Sequence, residues 1–312
     1  MISLFSPGLE VLLLAFIMDI SFGEPPGIVH PVVWMGRFIT VLQDLPLKDR
    51  RVLGILIVVV ITGTSLLVGM LVVLIASSIH ETAALLVMAY FLKSTFSIRM
   101  LLNTSRHIMN LLRSGNKDEA RKALKALVSR DTANLDEHQM ASAVVESISE
   151  NFVDGVLSPV LFYLILGLPG ALAYKAVNTL DSMIGYRNKE FIEMGRPSAR
   201  LDDVLNWIPA RLSLVLISAA ALVTGSFRGA VKICLRDNSR TSSPNSGWPM
   251  AAAAGALGVR LEKPGHYILG EELRSPEAVD IEQAARLVGA AVILLFAWSM
   301  GVLYLLHVNN VT

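Results

Sequence analysis

The sequence has one cysteine, Cys234, which excludes an internal disulfide and a cysteine-rich zinc site. It is short of charge. Only 17% of its 312 residues are Asp, Glu, Lys or Arg, against about 25% in a typical soluble domain. Those charges nearly cancel, at +1, so there is no electrostatic case for nucleic acid as a partner. No GxxxxGK[ST] loop occurs, and no GxGxxG follows a strand. Any nucleotide therefore needs a site of another kind. Internal repeats, low-complexity stretches and the period-2 alternation of a β-barrel are also missing. The start, MISLFSPGLEVLLLAFIMDISFG, has no basic region ahead of its apolar stretch and carries Glu10 and Asp19 around it. It reads as a first membrane helix rather than a cleaved signal.

What the sequence has in quantity is apolar length. Hydrophobic residues make up 53%, and the mean hydropathy is +0.56. Val52–Ile79 is uncharged for 28 residues, Gly155–Tyr174 for 20 and Leu287–Leu306 for 20. A helix of about 20 apolar residues spans a bilayer, and backbone polar groups in lipid must be satisfied within the segment. The fold class expected is all-α: a polytopic integral membrane protein with broken or re-entrant helices and cytoplasmic amphipathic helices. It is expected as a single integral membrane domain over 1–312. Straight spans are predicted at about 8–22, 52–79, 82–103 and 287–306. Segment 155–174, with Pro159 and Gly167-Leu168-Pro169-Gly170, and segment 204–227, with Pro209 and Arg211, are predicted to be broken or re-entrant.

Four polar regions, 23–51, 93–154, 175–211 and 228–286, hold 4, 9, 6 and 8 of the Lys and Arg residues. Basic residues favour the cytoplasmic side. All four regions are therefore expected to face the cytoplasm, with both termini outward. Within 93–154, SRHIMNLLRSGNKDEARKALKALVSR alternates basic and apolar positions at helical spacing and predicts an amphipathic helix or hairpin along the membrane surface.

Three polar clusters stand at the edges of apolar runs. In VVESISENFVDG, Glu146, Glu150 and Asp154 are four apart, within about 80° of arc on a helix. No Lys or Arg lies between Arg130 and Lys175 to offset their repulsion. Like charges without local partners point to a cation, most simply Mg²⁺ with its oxygen ligands. In YKAVNTLDSMIGYRNKEF, Lys175, Asn178 and Ser182 share a helical face with Asp181 at its margin, and Arg187 and Lys189 follow. In SARLDDVLNWIPARLS, Asp202, Asp203 and Asn206 are flanked by Arg200 and Arg211. Acids for a metal beside arginines for phosphate oxygens suit an anionic substrate bridged by a metal ion. RDNSRTSSPNSGWPMA reads as a turn-rich loop, and His30 in the first loop as a structural histidine.

In order, GEPPGIVHPVVWMGRFI, SRDT, ESISENFVDG, YKAVNTLDSMIGYRN, ARLDDVLNWIPARL and SPNSGW resemble the membrane-bound adenosylcobinamide-phosphate synthases of cobalamin biosynthesis, from about Asp19 to about Glu271. Two positions depart from the family pattern: Glu24 stands where Asp is usual, and Met250 near where an acid is frequent. No carboxylate role carries over to the loop at Met250.

The resemblance implies an ATP-dependent ligase that joins adenosylcobyric acid to an aminopropanol, or its phosphate, through an amide bond. A carboxylate acylates an amine only once its oxygen is made a leaving group, so the chemistry runs through an acyl phosphate. That requires Mg²⁺ on the phosphates, cations on the transferring group and a base near the nucleophile. Glu150, Asp181 and Asp202 are the catalytic candidates. Glu146, Glu150, Asp154, Asp181, Asp202 and Asp203 are the metal candidates. Lys175, Asn178, Arg187, Arg200 and Arg211 are the substrate and phosphate contacts, joined by Arg130, Asn151 and Asn245 of the matching motifs. The implied partners are the corrinoid, the amino alcohol or its phosphate, ATP and the lipid bilayer of the cell membrane, with the active site facing the cytoplasm and a homo-oligomer left open. Acids at membrane edges also occur in Mg²⁺-dependent prenyl- or CDP-alcohol-type transferases, and broken helices in transporters. The adjacent Asp202–Asp203 pair and the missing inverted repeat speak against both.

Overall fold

The long apolar runs fold as helices because only a helix satisfies every backbone group inside one segment. The structure, a computed structural model, describes residues 5–78, 80–185 and 192–311. In chain order the helices are α1 (Leu9–Phe22), α2 (Pro31–Gln43), α3 (Arg50–Ala76), α4 (Glu81–Lys93), α5 (Ile98–Arg113), α6 (Lys117–Leu124) and α7 (Glu137–Phe152). A π-helical turn, Val153–Leu157, leads into α8 (Ser158–Ile184), followed by α9 (Arg196–Leu205), α10 (Trp207–Thr224), α11 (Phe227–Asp237) and α12 (Gly247–Leu257). Strands β1 (Leu261–Lys263) and β2 (Tyr267–Leu269) pair antiparallel ahead of α13 (Ala278–Val311). Four helical stretches are long and apolar enough to cross a membrane, or up to five if the bent pair α4–α5 is one span. The chain is a helical, polytopic integral membrane protein.

Several starts follow from local chemistry. Asp49 caps α3 by accepting from the N–H groups of Arg51 and Val52 at 3.0 and 3.1 Å. At α7 a reciprocal cap forms: Asp136 accepts from the Gln139 N–H, and the Gln139 side chain accepts from the Asp136 N–H. α2 begins on Pro31, whose missing N–H costs nothing at a helix start, and His30 Nδ1 accepts from the Val32 N–H.

The chain divides into two compact units. The first comprises Met1–Ile98, Ser158–Leu205 and Trp298–Thr312. Its core gathers Ile39 of α2, Leu53, Ile57 and Ile61 of α3, and Leu180 and Ile184 of α8. The helices cross closely at glycine: a Cβ on Gly69 of α3 would stand 2.6 Å from the Pro169 Cα of α8. The second unit comprises Arg99–Leu157 and Asn206–Ala297. There α11 packs on α12, α10 packs on both, and α7 lies against β1 and α12.

Helices α1, α3 and α13 lie where the apolar runs predict spans. Segment 82–103 differs: α4 stops at Lys93 and α5 restarts at Ile98, bent by 41°. Lys93, a buried charge at the end of α4, stands at this break. Segment 155–174 is broken as expected, at the start of Gly167-Leu168-Pro169-Gly170: Leu166 and Gly167 leave the helical conformation, Gly167 with φ +60, where glycine is favoured, while Pro159 lies in the first turn of α8. Segment 204–227 is interrupted only near its start, at Asn206 between α9 and α10; from Trp207 α10 runs unbroken, with Pro209 in its first turn, where a missing N–H is harmless. The 105–130 stretch is a helix–turn–helix, α5 and α6, joined through Gly115 at φ +77. Its apolar residues Ile108, Met109, Leu112, Ala120 and Leu124 are buried in protein. Region 23–51 also proves more structured than a surface loop, since α2 packs along α3.

Candidate functional site

The second unit holds a polar cleft of about 110 Å³ built on α7 and the β-hairpin. Its lining includes Arg130, Glu146, Ser147, Glu150, Lys263 and Tyr267. Glu146 is the fixed point. Its Oε1 accepts from the Ser142 hydroxyl at 2.7 Å, and its Oε2 accepts from the Tyr267 hydroxyl at 2.7 Å and from Arg130 Nη2 at 3.1 Å. The hairpin is tied to the same helix by the Glu262 N–H donating to Ser142 Oγ at 2.8 Å. Burial, and then the Glu146 carboxylate beside it, push the Tyr267 phenol far above its ordinary value, so it stays protonated as a donor. Glu150 is half-buried on the cleft wall, one turn along from Glu146. Asn151 turns back on its own helix, donating to the Ser147 carbonyl at 2.9 Å and to Ser147 Oγ at 3.1 Å.

The acidic stripe is thus not uniform. Glu146 is spent on Arg130, Ser142 and Tyr267, while Glu150 faces the cleft. Asp154 lies in the π turn, whose wider winding takes it off the strict four-residue face.

Elsewhere in this unit, Arg211 of α10 lies between two indoles, 4.1 Å from the Trp207 ring and 4.9 Å from the Trp248 ring. Its Nη1 donates to the Trp207 carbonyl at 2.8 Å and to Asn245 Oδ1 at 3.3 Å. A guanidinium has five N–H donors, and here it is held by stacking in one orientation. Arg211 and Asn245 are brought together although 34 residues separate them.

In the first unit, α8 and α9 pack together and carry the second sequence cluster and the aspartates of the third. Lys175 donates to Asn178 Oδ1 at 3.1 Å. The carboxylates of Asp181 and Asp203 are near enough to repel one another. The Oδ1 of Asp202 is buried, and Arg200 is exposed on α9. Gly185 ends α8 against Asp181: a Cβ there would collide with the Asp181 carboxylate. Arg187 lies outside the described residues. No three His, Cys, Asp or Glu side chains converge as a ready-made cation cage among the described residues.

A third group in the first unit was not assembled by the sequence reading. Lys93, buried at the end of α4, lies 2.8 Å from Glu24 Oε2 and 3.4 Å from Asp19 Oδ1. Glu24 Oε2 is also 2.9 Å from His30 Nε2. Since His30 Nδ1 accepts from the Val32 N–H, its proton belongs on Nε2, directed at Glu24. Asp19 Oδ2 accepts from the Ile98 N–H at 3.1 Å, so this carboxylate also caps α5. Tyr90 of α4 holds the loop by donating to the Val29 carbonyl at 2.5 Å. The signal available in the sequence was Asp19 and Lys93 themselves, charges at the ends of apolar helices, which lipid tolerates only in pairs.

A family model described as CobD/Cbib protein matches residues 12–288. A probable cobalamin biosynthesis protein CobD of Methanothrix thermoacetophila is 44% identical over 96% of this chain and 98% of its own length. The cobalamin biosynthesis protein CobD of Dehalococcoides mccartyi is 39% identical over 95% of this chain and 97% of its own, and that of Klebsiella pneumoniae is 39% identical over 93% and 96%. No solved structure matches. With polar clusters built on the segments that carry the sequence motifs, and with relatives aligned along nearly the whole chain, the protein belongs to the CobD/CbiB family of cobalamin biosynthesis.

Proposed function

We propose that the protein is an ATP-dependent carbon–nitrogen ligase that joins the carboxylate of adenosylcobyric acid to aminopropanol or its phosphate. The observation that carries this reading is the full-length similarity to cobalamin biosynthesis proteins. The chemistry needs two linked steps. A carboxylate oxygen of the corrinoid attacks the γ-phosphorus of ATP, giving an acyl phosphate and ADP. The amine then attacks the acyl carbon, phosphate leaves, and a base takes the proton from the new nitrogen.

The side chains of each unit suit parts of that sequence. Lys175 and Arg211 are oriented cations for phosphate oxygens, Lys175 beside Asn178 and Arg211 between its indoles. Glu150, on the wall of the cleft with Arg130 and Lys263, is suited to receive a proton. Mg²⁺ is commonly held by one or two carboxylates together with substrate phosphates. The adjacent pair Asp181 and Asp203, with Asp202 beside them, fits that need: two carboxylates held close are relieved of repulsion by a shared cation. When bound, the ion would neutralise charge on the phosphates. The transferase and transporter readings gain nothing from the relatives.

The test is an assay of purified protein with adenosylcobyric acid, ATP, Mg²⁺ and a series of amino alcohols and their phosphates, read by the mass of the corrinoid. The expected product is the amide, formed only with ATP. Equal product without ATP, or no turnover with any amine, would overturn the proposal.

A further inference from the structure

The first unit carries a groove of about 340 Å³ that the proposed reaction does not use. It is walled by Trp34 and Phe38 of α2, Ile61, Ser65 and Val68 of α3, and Phe91 of α4. Thr64 and Ser65 of α3 bring hydroxyls to the walls; that of Thr64 donates to the Val60 and Ile61 carbonyls of its own helix, at 2.7 and 3.1 Å. Elsewhere the walls are apolar. Trp34 and Phe38 are 46% and 40% exposed at the mouth, so the groove opens on the outside of the protein.

Its depth follows from helix geometry. α3 is about 40 Å long at about 1.5 Å per residue, against about 30 Å of hydrocarbon. The groove is level with Ile61–Val68, which lies about 16 to 27 Å from Arg50 along α3. It is therefore inside the hydrocarbon region. α2 runs antiparallel to α3, with Ile39 packed in the same cluster as Leu53 and Ile57. Arg37, exposed on α2 between Trp34 and Phe38, is thus level with Ile57–Ile61. Flanked by the wall residues Trp34 and Phe38, it stands nearer than the centre of the groove to the membrane face marked by Arg50. Lys48, Arg50 and Arg51 lie toward that face as well, against Asp44 and Asp49. A guanidinium at Arg37's depth is costly in bare lipid and is relieved when its long stem reaches toward phosphate at the interface.

We propose that this groove is a binding site for one anionic phospholipid of the leaflet on the Arg50 side. One acyl chain fills the groove, and the phosphate meets Arg37. The order along the membrane normal is that of a lipid: the cation at the interfacial edge of the groove, most of the carbon lining on α3 deeper. Hydrocarbon is the solvent at the mouth, so an acyl chain needs no aqueous path to enter. The proposal is independent of the reaction catalysed.

The experiment reconstitutes the full chain in nanodiscs of equal phosphatidylglycerol and phosphatidylcholine with matched chains. The protein is then released into mild detergent, and retained lipid is read by native mass spectrometry. One phosphatidylglycerol per chain is expected on the parent, several-fold above phosphatidylcholine. Arg37→Gln should level the two lipids, and Ser65→Phe should remove the retained lipid. If Ser65→Phe does not fold, Val68→Phe on the more exposed side of α3 closes the same groove. Equal retention of the two lipids by the parent, unchanged retention in the filled-groove variant, or a dimer whose contact covers α2 without lipid would each overturn the proposal.

Discussion

Tyr267 donates a 2.7 Å hydrogen bond to Glu146 across 121 residues of sequence, tying the β-hairpin to the middle of α7. The carboxylate is buried, so it depends on every donor it has. Tyr267→Phe removes one and leaves Arg130 and Ser142. A buried acceptor that loses a donor costs about 1–3 kcal/mol. The expected result is a lower unfolding temperature in detergent together with a folded, membrane-inserted protein. An unchanged unfolding temperature would mean that water replaces the phenol without loss.

Lys93 is a harsher case. It is 2% exposed and faces two carboxylates, one of which, Asp19, is fully buried. Lys93→Met removes the cation that both acids face, and breaking a buried pair from one side costs about 3–5 kcal/mol. The yield of monodisperse protein should fall sharply. The double change Lys93→Met/Asp19→Asn removes one charge of each sign and should recover part of that yield. Equal yields for the single and double variants would show that the pair is not coupled.

Asp181→Asn and Asp202→Asn keep shape and remove charge. Each is expected to abolish amide formation while leaving protein yield and membrane insertion intact. Turnover within a few fold of the parent for both would take α8 and α9 out of the proposed chemistry.

Asp237 supplies a pH test away from the membrane spans. Burial disfavours its charged form, but Arg236, at 2.7 Å, the Gly270 N–H and Arg240 more than compensate, and the carboxyl is held below the usual range. A depressed folded value means the bonds stabilise fully above the unfolded value, about pH 4, and fade as pH falls through the folded one. The gap in unfolding temperature between parent and Asp237→Asn should be constant near neutrality and shrink only below about pH 4. A gap that grows on acidification would contradict this.

Sidedness is open to direct measurement. Ser149 and Ser198 are fully buried and unsuited to labelling, whereas Glu137 and Glu193 are exposed. Cysteines at these two positions, with the buried Cys234 retained, are expected to react with an impermeant thiol reagent from the same, cytoplasmic, side. Labelling from opposite sides would contradict the expected cytoplasmic facing of both regions.

The apolar runs were legible because lipid asks for little beyond length. α3 and α13 need no tertiary information to be found. The acidic stripe was legible as spacing but not as electrostatics. A search for basic partners one turn away finds none for Glu146, yet its counter-charge is Arg130, which the fold brings back from 16 residues earlier. The hairpin that carries Tyr267 was missed because two three-residue strands are too short for a periodic signal, although Pro264-Gly265, with Gly265 at φ +74, marks the turn. The break between α4 and α5 was hidden for a similar reason. Lys93-Ser94-Thr95-Phe96 holds no glycine or proline, and the chain bends there because Lys93 and the Ile98 N–H both turn to acids around α1.

The ion group around Lys93 also bears on how the chain enters a membrane. α1 is 14 residues long and ends beside Asp19, and α4 is 13 residues long and ends on Lys93. Each is shorter than the bilayer asks, and each carries a charge that a lone helix must bury at about 2.5–3.5 kcal/mol. Together they bury opposite charges against one another. α1 is costly to bury in lipid by itself. The ion pair between Lys93 and Asp19 therefore couples the place of α1 in the bilayer to that of α4 and to the loop that holds Glu24 and His30.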